Sequence, residues 1–279
     1  MKSRQIKKDM GIMSDLIKTQ LKKNLEFIFD QYHKRALVAP DPLQFLYQYP
    51  DVRDREIVAL IASSLAYGRV AQILKAVERV LEPMGKHPWE YVCRGNGNGM
   101  IQAFETFKYR FATGAHLMGL LSGIREVVDH YGSLEACFCQ GQSNEDISVV
   151  PALSFFARQI KGERNLGHLM ADPFKGSACK RSCLFLRWMV RKDEVDPGGW
   201  TCVPASRLMI PLDTHMHTAG QMLGFTTRKQ ANMKTAREIT QGFARLCPDD
   251  PVKYDFSLTR FGIHPDMDVH DLEILFQNV

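Results

Sequence analysis

Hydrophobic positions along the chain recur at helical spacing, and few segments alternate as a strand would. The first apolar stripe predicts an amphipathic helix over 16–34, with Leu16, Leu21, Leu25, Ile28 and Phe29 on one face. Further helices are predicted over 54–68, 70–81, 117–130, 146–160, 180–192, 213–224, 228–246 and 250–258. The predicted fold class is therefore all-α, assembled from about ten helices.

Turn-forming and capping residues divide this pattern. The glycine- and asparagine-rich segment 93–99 predicts a loop and the best internal boundary. We expect a basic N-terminal extension over 1–20, then a helical domain over 21–279 with two interleaved subdomains meeting near 93–99. Helix caps are predicted at Asp54, Ser177 and Asp213, and a capping box at Thr227 and Gln230.

Composition is that of an ordinary globular protein, with 45% hydrophobic and 24% charged residues and a net charge of +5. No apolar stretch is long enough to span a membrane, and the first residues do not form a secretory signal. Seven irregularly spaced cysteines argue against paired disulfides and favour the cytoplasm. The pair Cys137 and Cys139 lacks partners at zinc-site spacing, so both are expected to be small buried residues.

The basic charge is concentrated in one segment. Between Phe174 and Lys192 there is no acid, and the basic residues are Lys175, Lys180, Arg181, Arg187, Arg191 and Lys192. On a helix, Lys180, Arg187 and Arg191 share one face, which ordinarily is a solvated edge. Lys180, however, lies near the helix start, where the dipole disfavours positive charge. This placement indicates an anionic partner or a lysine that loses its proton. A second basic run, Arg228, Lys229, Lys234 and Arg237, lies in the first part of another predicted helix and favours phosphate binding.

Asp213 lies at the start of a predicted helix and has three possible roles. The ordinary one is an N-cap, worth about 1 kcal/mol. In the second, Asp213 works with Lys180, whose neutral form is favoured by a neighbouring charge such as Arg181 or Arg187. In the third, Asp213, His215 and His217 ligate a metal. Since His215 would face away from the other two on a helix, we expect no metal.

Two segments resemble the helix-hairpin-helix DNA glycosylases. The segment 176–186 is similar to their hairpin-to-helix segment, with Lys180 at the nucleophile position and Ala178 in place of the second hairpin glycine. The segment 211–224 is similar to their catalytic-aspartate segment, with Asp213 as the aspartate. The separation of 33 positions between these two residues is closer to the archaeal 8-oxoguanine glycosylases, and no cysteine follows Cys247 to form an iron–sulfur loop.

A narrower resemblance covers nearly the whole chain. The segments 61–69, 187–200 and 250–256 resemble signatures of a mainly bacterial family catalogued as domain of unknown function 2400. That family implies no established activity. The wider superfamily implies a two-lobed helical fold with an active-site cleft between the lobes.

The wider resemblance implies a monomeric base-excision glycosylase with AP-lyase activity, acting without a cofactor on duplex DNA that contains a damaged base. Lys180 would attack the sugar C1′ and Asp213 would assist proton transfer. The implied DNA contacts are Lys175, Ser177, Arg181, Arg187, Arg191, Arg228 and Lys229. The implied base pocket is Tyr67, Arg69, Gln72, Trp188, His215 and His217. Two alternatives stay open: a non-catalytic nucleic-acid-binding protein on the same scaffold, and a metal-dependent hydrolase.

Overall fold

The structure is a computed structural model that describes residues 18–264 and 266–277. These residues form α-helices and one short antiparallel ribbon, so the fold is all-α as predicted. Helix α1 covers 18–32. The other helices are α2 (Val52–Ser64), α3 (Val70–Leu81), α4 (Pro88–Arg94), α5 (Gly97–Phe104), α6 (Gly114–Tyr131), α7 (Leu134–Gln140), α8 (Val150–Lys161), α9 (Lys180–Val190), α10 (Thr214–Met222), α11 (Met233–Ala244), α12 (Asp255–Ile263) and α13 (Val269–Gln277). The ribbon pairs β1 (Lys108–Tyr109) with β2 (Ala112–Thr113). Within the described ranges, no helix has the length and hydrophobicity needed to cross a bilayer.

Several predicted helices are confirmed, α3 to the residue, but other predicted boundaries are wrong. The predicted loop at 93–99 contains the end of α4 and the start of α5. Helix α11 begins at Met233 because Asn232, rather than Thr227, caps it by accepting the Lys234 backbone N–H at 3.0 Å. The last predicted helix starts later and runs through Gly262 instead of stopping there. Gly262 is a packing position, since a Cβ there would overlap the His215 ring.

At the N-terminal end of the chain, residues 18–20 of the predicted extension belong to α1. Leu16 and the rest of the extension lie outside the described residues. Helix α2 is capped by Asp51, one turn before the predicted Asp54. The Asp54 carboxylate instead accepts the Trp89 backbone N–H at 2.8 Å, which satisfies a donor at the start of α4.

Helix α2 is the central element of the core. Every residue from Glu56 to Ser64 is buried, as expected for a helix packed on several sides. It packs against α9, whose Phe185 lies in an aromatic cluster with Phe156 and Trp200. The position of α9 is therefore set by the core.

Glu56 joins three parts of this core. Its carboxyl group accepts N–H bonds from Leu134 at 3.0 Å and Glu135 at 3.2 Å, both in the first turn of α7. It also accepts the Trp200 indole N–H at 3.0 Å. Burial raises the pKa of the Glu56 carboxyl to about 7, although these donors lower it.

Buried charges fix the second half of α9. Arg187 is 3% exposed, with its Nε 3.2 Å from Asp196 Oδ1 and its Nη1 bonded to Asp255 Oδ2. The next basic residue on this face, Arg191, is 6% exposed and lies 2.6 Å from Asp193 and 3.2 Å from Asp250. The prediction of a solvated or DNA-binding face is wrong at Arg187 and Arg191, because these carboxylates enclose both guanidinium groups.

The cysteines differ from expectation at one pair. Cys139 and Cys202 form a disulfide that links the end of α7 to the segment after Trp200. Cys137 is buried as predicted.

We predict that Glu56 makes stability depend on pH. Its folded pKa of about 7 lies above the unfolded value of 4.5, so the folded state binds the extra proton between these values. The resulting stabilisation is complete below pH 4.5 and is lost as the pH rises through 7, amounting to about 3 kcal/mol. Urea titrations should show wild type losing this amount relative to Glu56→Gln between those pH values. A pH-independent difference between the two proteins would contradict the assignment.

We predict that Arg187 is structural. Arg187→Met should lower the free energy of unfolding by about 3–5 kcal/mol, because it leaves buried carboxylates without their cation. Chemical denaturation measures this, and Lys175→Met, at an exposed position, should change it by less than about 0.5 kcal/mol. A cost for Arg187→Met as small as that of the control would show that the buried pairs do not support the fold.

Candidate functional site

An open cleft of about 810 Å³ lies at the start of α9. Its walls come from distant parts of the chain: the segments 41–42, 66–73, 169–187, 211–215 and 255–263 each contribute lining residues. A volume of this size can enclose much of a small organic ligand. The cleft is therefore the place to test the predicted chemistry.

Lys180 is the first residue of α9 and lines the cleft. The preceding residue, Cys179, has a left-handed backbone with φ 49°, and its N–H is accepted by Ser177 Oγ at 3.1 Å. Ser177 thus stabilises the turn before the helix rather than the helix itself, which has no side-chain cap. An L-residue in this conformation is unfavourable, and such strain is frequent at functional sites. Lys180 follows this turn as the first residue of the helix, and its side chain is 35% exposed.

Asp213 uses its two oxygens for two different contacts. As the N-cap of α10, its Oδ1 accepts the Met216 backbone N–H at 2.8 Å. Its Oδ2 lies 3.4 Å from Lys180 Nζ, and the side chain is only 13% exposed. The capping role and the pairing with Lys180, which the sequence left as alternatives, are both present.

Arg181, the residue after Lys180, contacts several segments of the cleft wall beside it. One guanidinium nitrogen donates to the Ser64 carbonyl at 2.8 Å, and another donates to the His168 carbonyl. The guanidinium carbon lies 5.0 Å from the centre of the Tyr67 ring. Arg181 therefore joins the start of α9 to the end of α2, and its phosphate-binding capacity is reduced by these contacts.

The deep wall contains charged residues that the sequence analysis did not identify. Asp255 and Arg260 line the cleft while remaining 2% and 1% exposed, and Arg260 Nη2 lies 2.8 Å from Asp41 Oδ2. Burial raises the pKa of Asp255 to about 6; Arg187 lowers it, and the nearby Asp213 raises it. Asp255 lies in the segment 250–256, whose resemblance to a family signature is the sequence signal that could have identified this residue.

The predicted base pocket is only partly assembled. Tyr67, Arg69 and His215 line the cleft, and Gln72, Trp188 and His217 do not. Trp188 is a wrong prediction because its side chain is 1% exposed and belongs to the core. Gln72 is exposed on α3, away from the lining.

Some of the residues predicted to contact DNA are accessible, and others are paired or buried. Lys175 and Lys229 are exposed, and Ser177 lines the cleft. Arg228 is also exposed, but its Nε lies 2.6 Å from Glu238 Oε1. Arg187 and Arg191 are not available for contacts to DNA, because carboxylates enclose their guanidinium groups.

Asp213, His215 and His217 do not converge on one point. The His215 ring packs against Gly262 on α12, and His217 Nε2 donates to the Arg228 carbonyl at 2.8 Å. In the described part of the chain, no three His, Cys, Asp or Glu side chains are grouped so as to hold a metal ion. The hydrolase alternative therefore lacks the ligand set on which it was based.

Comparison with known proteins gives one match. No curated protein and no solved structure matches the chain. The family model described as "Protein of unknown function (DUF2400)" matches residues 41–264, a range that contains every residue lining the cleft. The chain belongs to the DUF2400 family of proteins of unknown function.

Proposed function

We propose that the protein is a base-excision DNA glycosylase with AP-lyase activity, acting on a damaged base in duplex DNA. The observation that carries the proposal is the 3.4 Å separation between Lys180 Nζ and Asp213 Oδ2 in the wall of the cleft. The resemblance of the 176–186 and 211–224 segments to helix-hairpin-helix DNA glycosylases supports the same assignment. The proposal includes a two-lobed arrangement with the cleft between the lobes.

The substrate must enter the cleft as a single nucleotide. A glycosidic bond inside a stacked duplex is inaccessible to a side chain, so the nucleotide has to be rotated out of the helix. The cleft, at about 810 Å³, has the size of sites that enclose small molecules. Lys180 is partly exposed in its wall and can meet the sugar of such a nucleotide.

The chemistry needs a neutral lysine and a proton acceptor beside it. Asp213 Oδ2 is close enough to take the proton directly or through one water. The Lys180 nitrogen then attacks C1′, and the C1′–N bond breaks with its electron pair leaving on the base, which takes up a proton. The cap bond to Met216 orients the carboxylate for this role.

The covalent adduct accounts for the lyase step. Opening of the sugar ring gives a Schiff base between Lys180 and C1′. Loss of a proton from C2′ then expels the 3′-phosphate, and water hydrolyses the imine to release the lysine. Asp213 is the group placed to accept and return protons, and its negative charge stabilises the cationic intermediates.

The exposed cations provide the contacts to DNA. Lys175, Lys229 and Arg69 are exposed, and Arg69 lies in the cleft wall itself. Lys and Arg side chains of this kind neutralise phosphates and release counterions, so binding would weaken as salt is added.

The first prediction from the proposed function concerns the nucleophile, Lys180. Wild type should form a covalent adduct with a duplex containing an abasic site when sodium borohydride reduces the Schiff base. Lys180→Gln should form none, because the amide cannot form the imine. Gel electrophoresis measures the adduct.

The control is Lys86→Gln, which makes the same charge change at an exposed position outside the cleft lining and should trap as wild type does. Trapping by Lys180→Gln at the wild-type level would show that the assignment is wrong. Salt-dependent DNA binding by both proteins without any adduct would favour the non-catalytic alternative.

The second prediction concerns Asp213. Asp213→Asn should leave thermal stability nearly unchanged, because asparagine is as good an N-cap as aspartate. It should lower the trapping rate about 10²–10⁴-fold through loss of the proton acceptor. Rapid-quench trapping measures the rate, and equal rates for variant and wild type would remove Asp213 from the mechanism.

A further inference from the structure

The tip of the β1–β2 ribbon presents an exposed aromatic ring. Phe111 is 63% exposed and follows Arg110, the first residue of the two-residue turn. A single exposed ring is ordinary on a protein surface. Its attachment and its surroundings distinguish this one.

The backbone of the tip is that of a tight hairpin turn. Arg110 has φ 49°, which a two-residue turn between antiparallel strands requires at its first central position. The turn leaves Phe111 at the end of the ribbon.

The ribbon is attached to the rim of the cleft. The Tyr67 hydroxyl donates to the Tyr109 carbonyl at 3.3 Å, and the Tyr109 hydroxyl donates to the Tyr67 carbonyl. A Cβ on Gly68 would come within 2.9 Å of the Arg110 guanidinium, so the arginine lies directly over that glycine. Since Tyr67 and Gly68 line the cleft, the tip borders it and is fixed relative to it.

The exposed ring also connects to the reactive end of α9. The Phe111 ring centre lies 5.4 Å from that of His168. The His168 carbonyl accepts a hydrogen bond from Arg181, which follows Lys180 in the chain. A flat apolar surface therefore lies on the same rim as the Lys180 segment.

The surroundings of the ring are positively charged. Lys108 and Arg110 are exposed, and no acid occurs between Glu105 and Glu126. The Arg110 guanidinium carbon lies 5.9 Å from the centre of the Phe111 ring. An aromatic ring beside cations suits a partner with alternating π faces and negative charges, which is the chemistry of a nucleic acid.

We propose that Phe111 stacks on a nucleobase next to the nucleotide held at Lys180, with Arg110 contacting the adjacent phosphate. This inference rests on the proposed function. Rotating a nucleotide out of a duplex exposes the face of its former neighbour, and an apolar side chain inserted there replaces the lost stacking. A single strand has no such stack to interrupt, so the contribution of Phe111 is specific to duplex DNA.

Phe111→Ala tests this in the full-length protein. Trapping with borohydride should slow about tenfold on a duplex containing an abasic site, the size expected for one base–aromatic stack. It should change less than about twofold on the same abasic strand without its complement, and Phe111→Tyr should restore the duplex rate. Phe27→Ala, at a ring that is 53% exposed on α1, is the matched control and should trap as wild type does. Thermal unfolding of Phe111→Ala should match wild type, since the ring is exposed.

Two results would overturn the inference while leaving the proposed function intact. One is wild-type trapping of the duplex by Phe111→Ala, and the other is an equal loss on the single strand. If wild type traps no DNA, the proposed function fails and stacking is judged by fluorescence. Quenching of the added indole in Phe111→Trp by an abasic duplex, beyond any change in wild type, would support the contact, and no added quenching would overturn it.

Discussion

The buried ion pairs of Arg187 and Arg191 determine where the candidate site can be. Arg187 lies in the second half of α9 and Arg191 follows its last residue. Both are held by carboxylates from the segment after the helix, from the segment before α12 and from the start of α12. Seven residues of helix separate Lys180 from Arg187, a distance of about 10 Å along the axis. Because these pairs fix the axis and rotation of α9, they also fix the direction in which Lys180 leaves its first turn. The geometry of the cleft therefore depends on a charge cluster that sets the position of α9.

Asp213 links the first turn of α10 to the start of α9. One oxygen of its carboxylate stabilises the first turn of α10, and the other lies beside Lys180. The cap bond to Met216 fixes the Asp213 side chain, so the contact with Lys180 requires little further loss of side-chain freedom. Helix α10 is itself held against α12, where Gly262 makes room for the His215 ring. The pair thus lies where the start of α9 meets the start of α10, and packing of α10 on α12 holds the second of these in place.

The sequence could predict those parts of the structure that depend on local pattern. Helical periodicity predicted α3 to the residue and the all-α fold. The unfavourable charge at the start of α9 and the cap position of Asp213 indicated the pair that the structure places together. The same periodicity correctly put Arg187 and Arg191 on one face, but it could not show that Asp250 and Asp255 cover that face. Those aspartates lie some sixty residues further along the chain, and only tertiary packing brings them there. The disulfide between Cys139 and Cys202 was missed for the same reason.

The burial of this cluster also changes the meaning of the net charge. Two arginines and four aspartates, Arg187, Arg191, Asp193, Asp196, Asp250 and Asp255, carry a formal charge of −2 together. Since the whole chain carries +5, the remaining residues carry +7. The carboxylates outnumber the two arginines, so Arg187 and Arg191 add no positive potential outside the protein, and the basic surface comes from the remaining residues. Arg69 in the cleft wall and Arg110 over Gly68 are exposed, as are Lys108 and Lys175, whereas Arg187 and Arg191 are buried. The sequence located the basic segment correctly, but packing buries part of that segment and leaves other basic residues, some of them at the cleft, exposed.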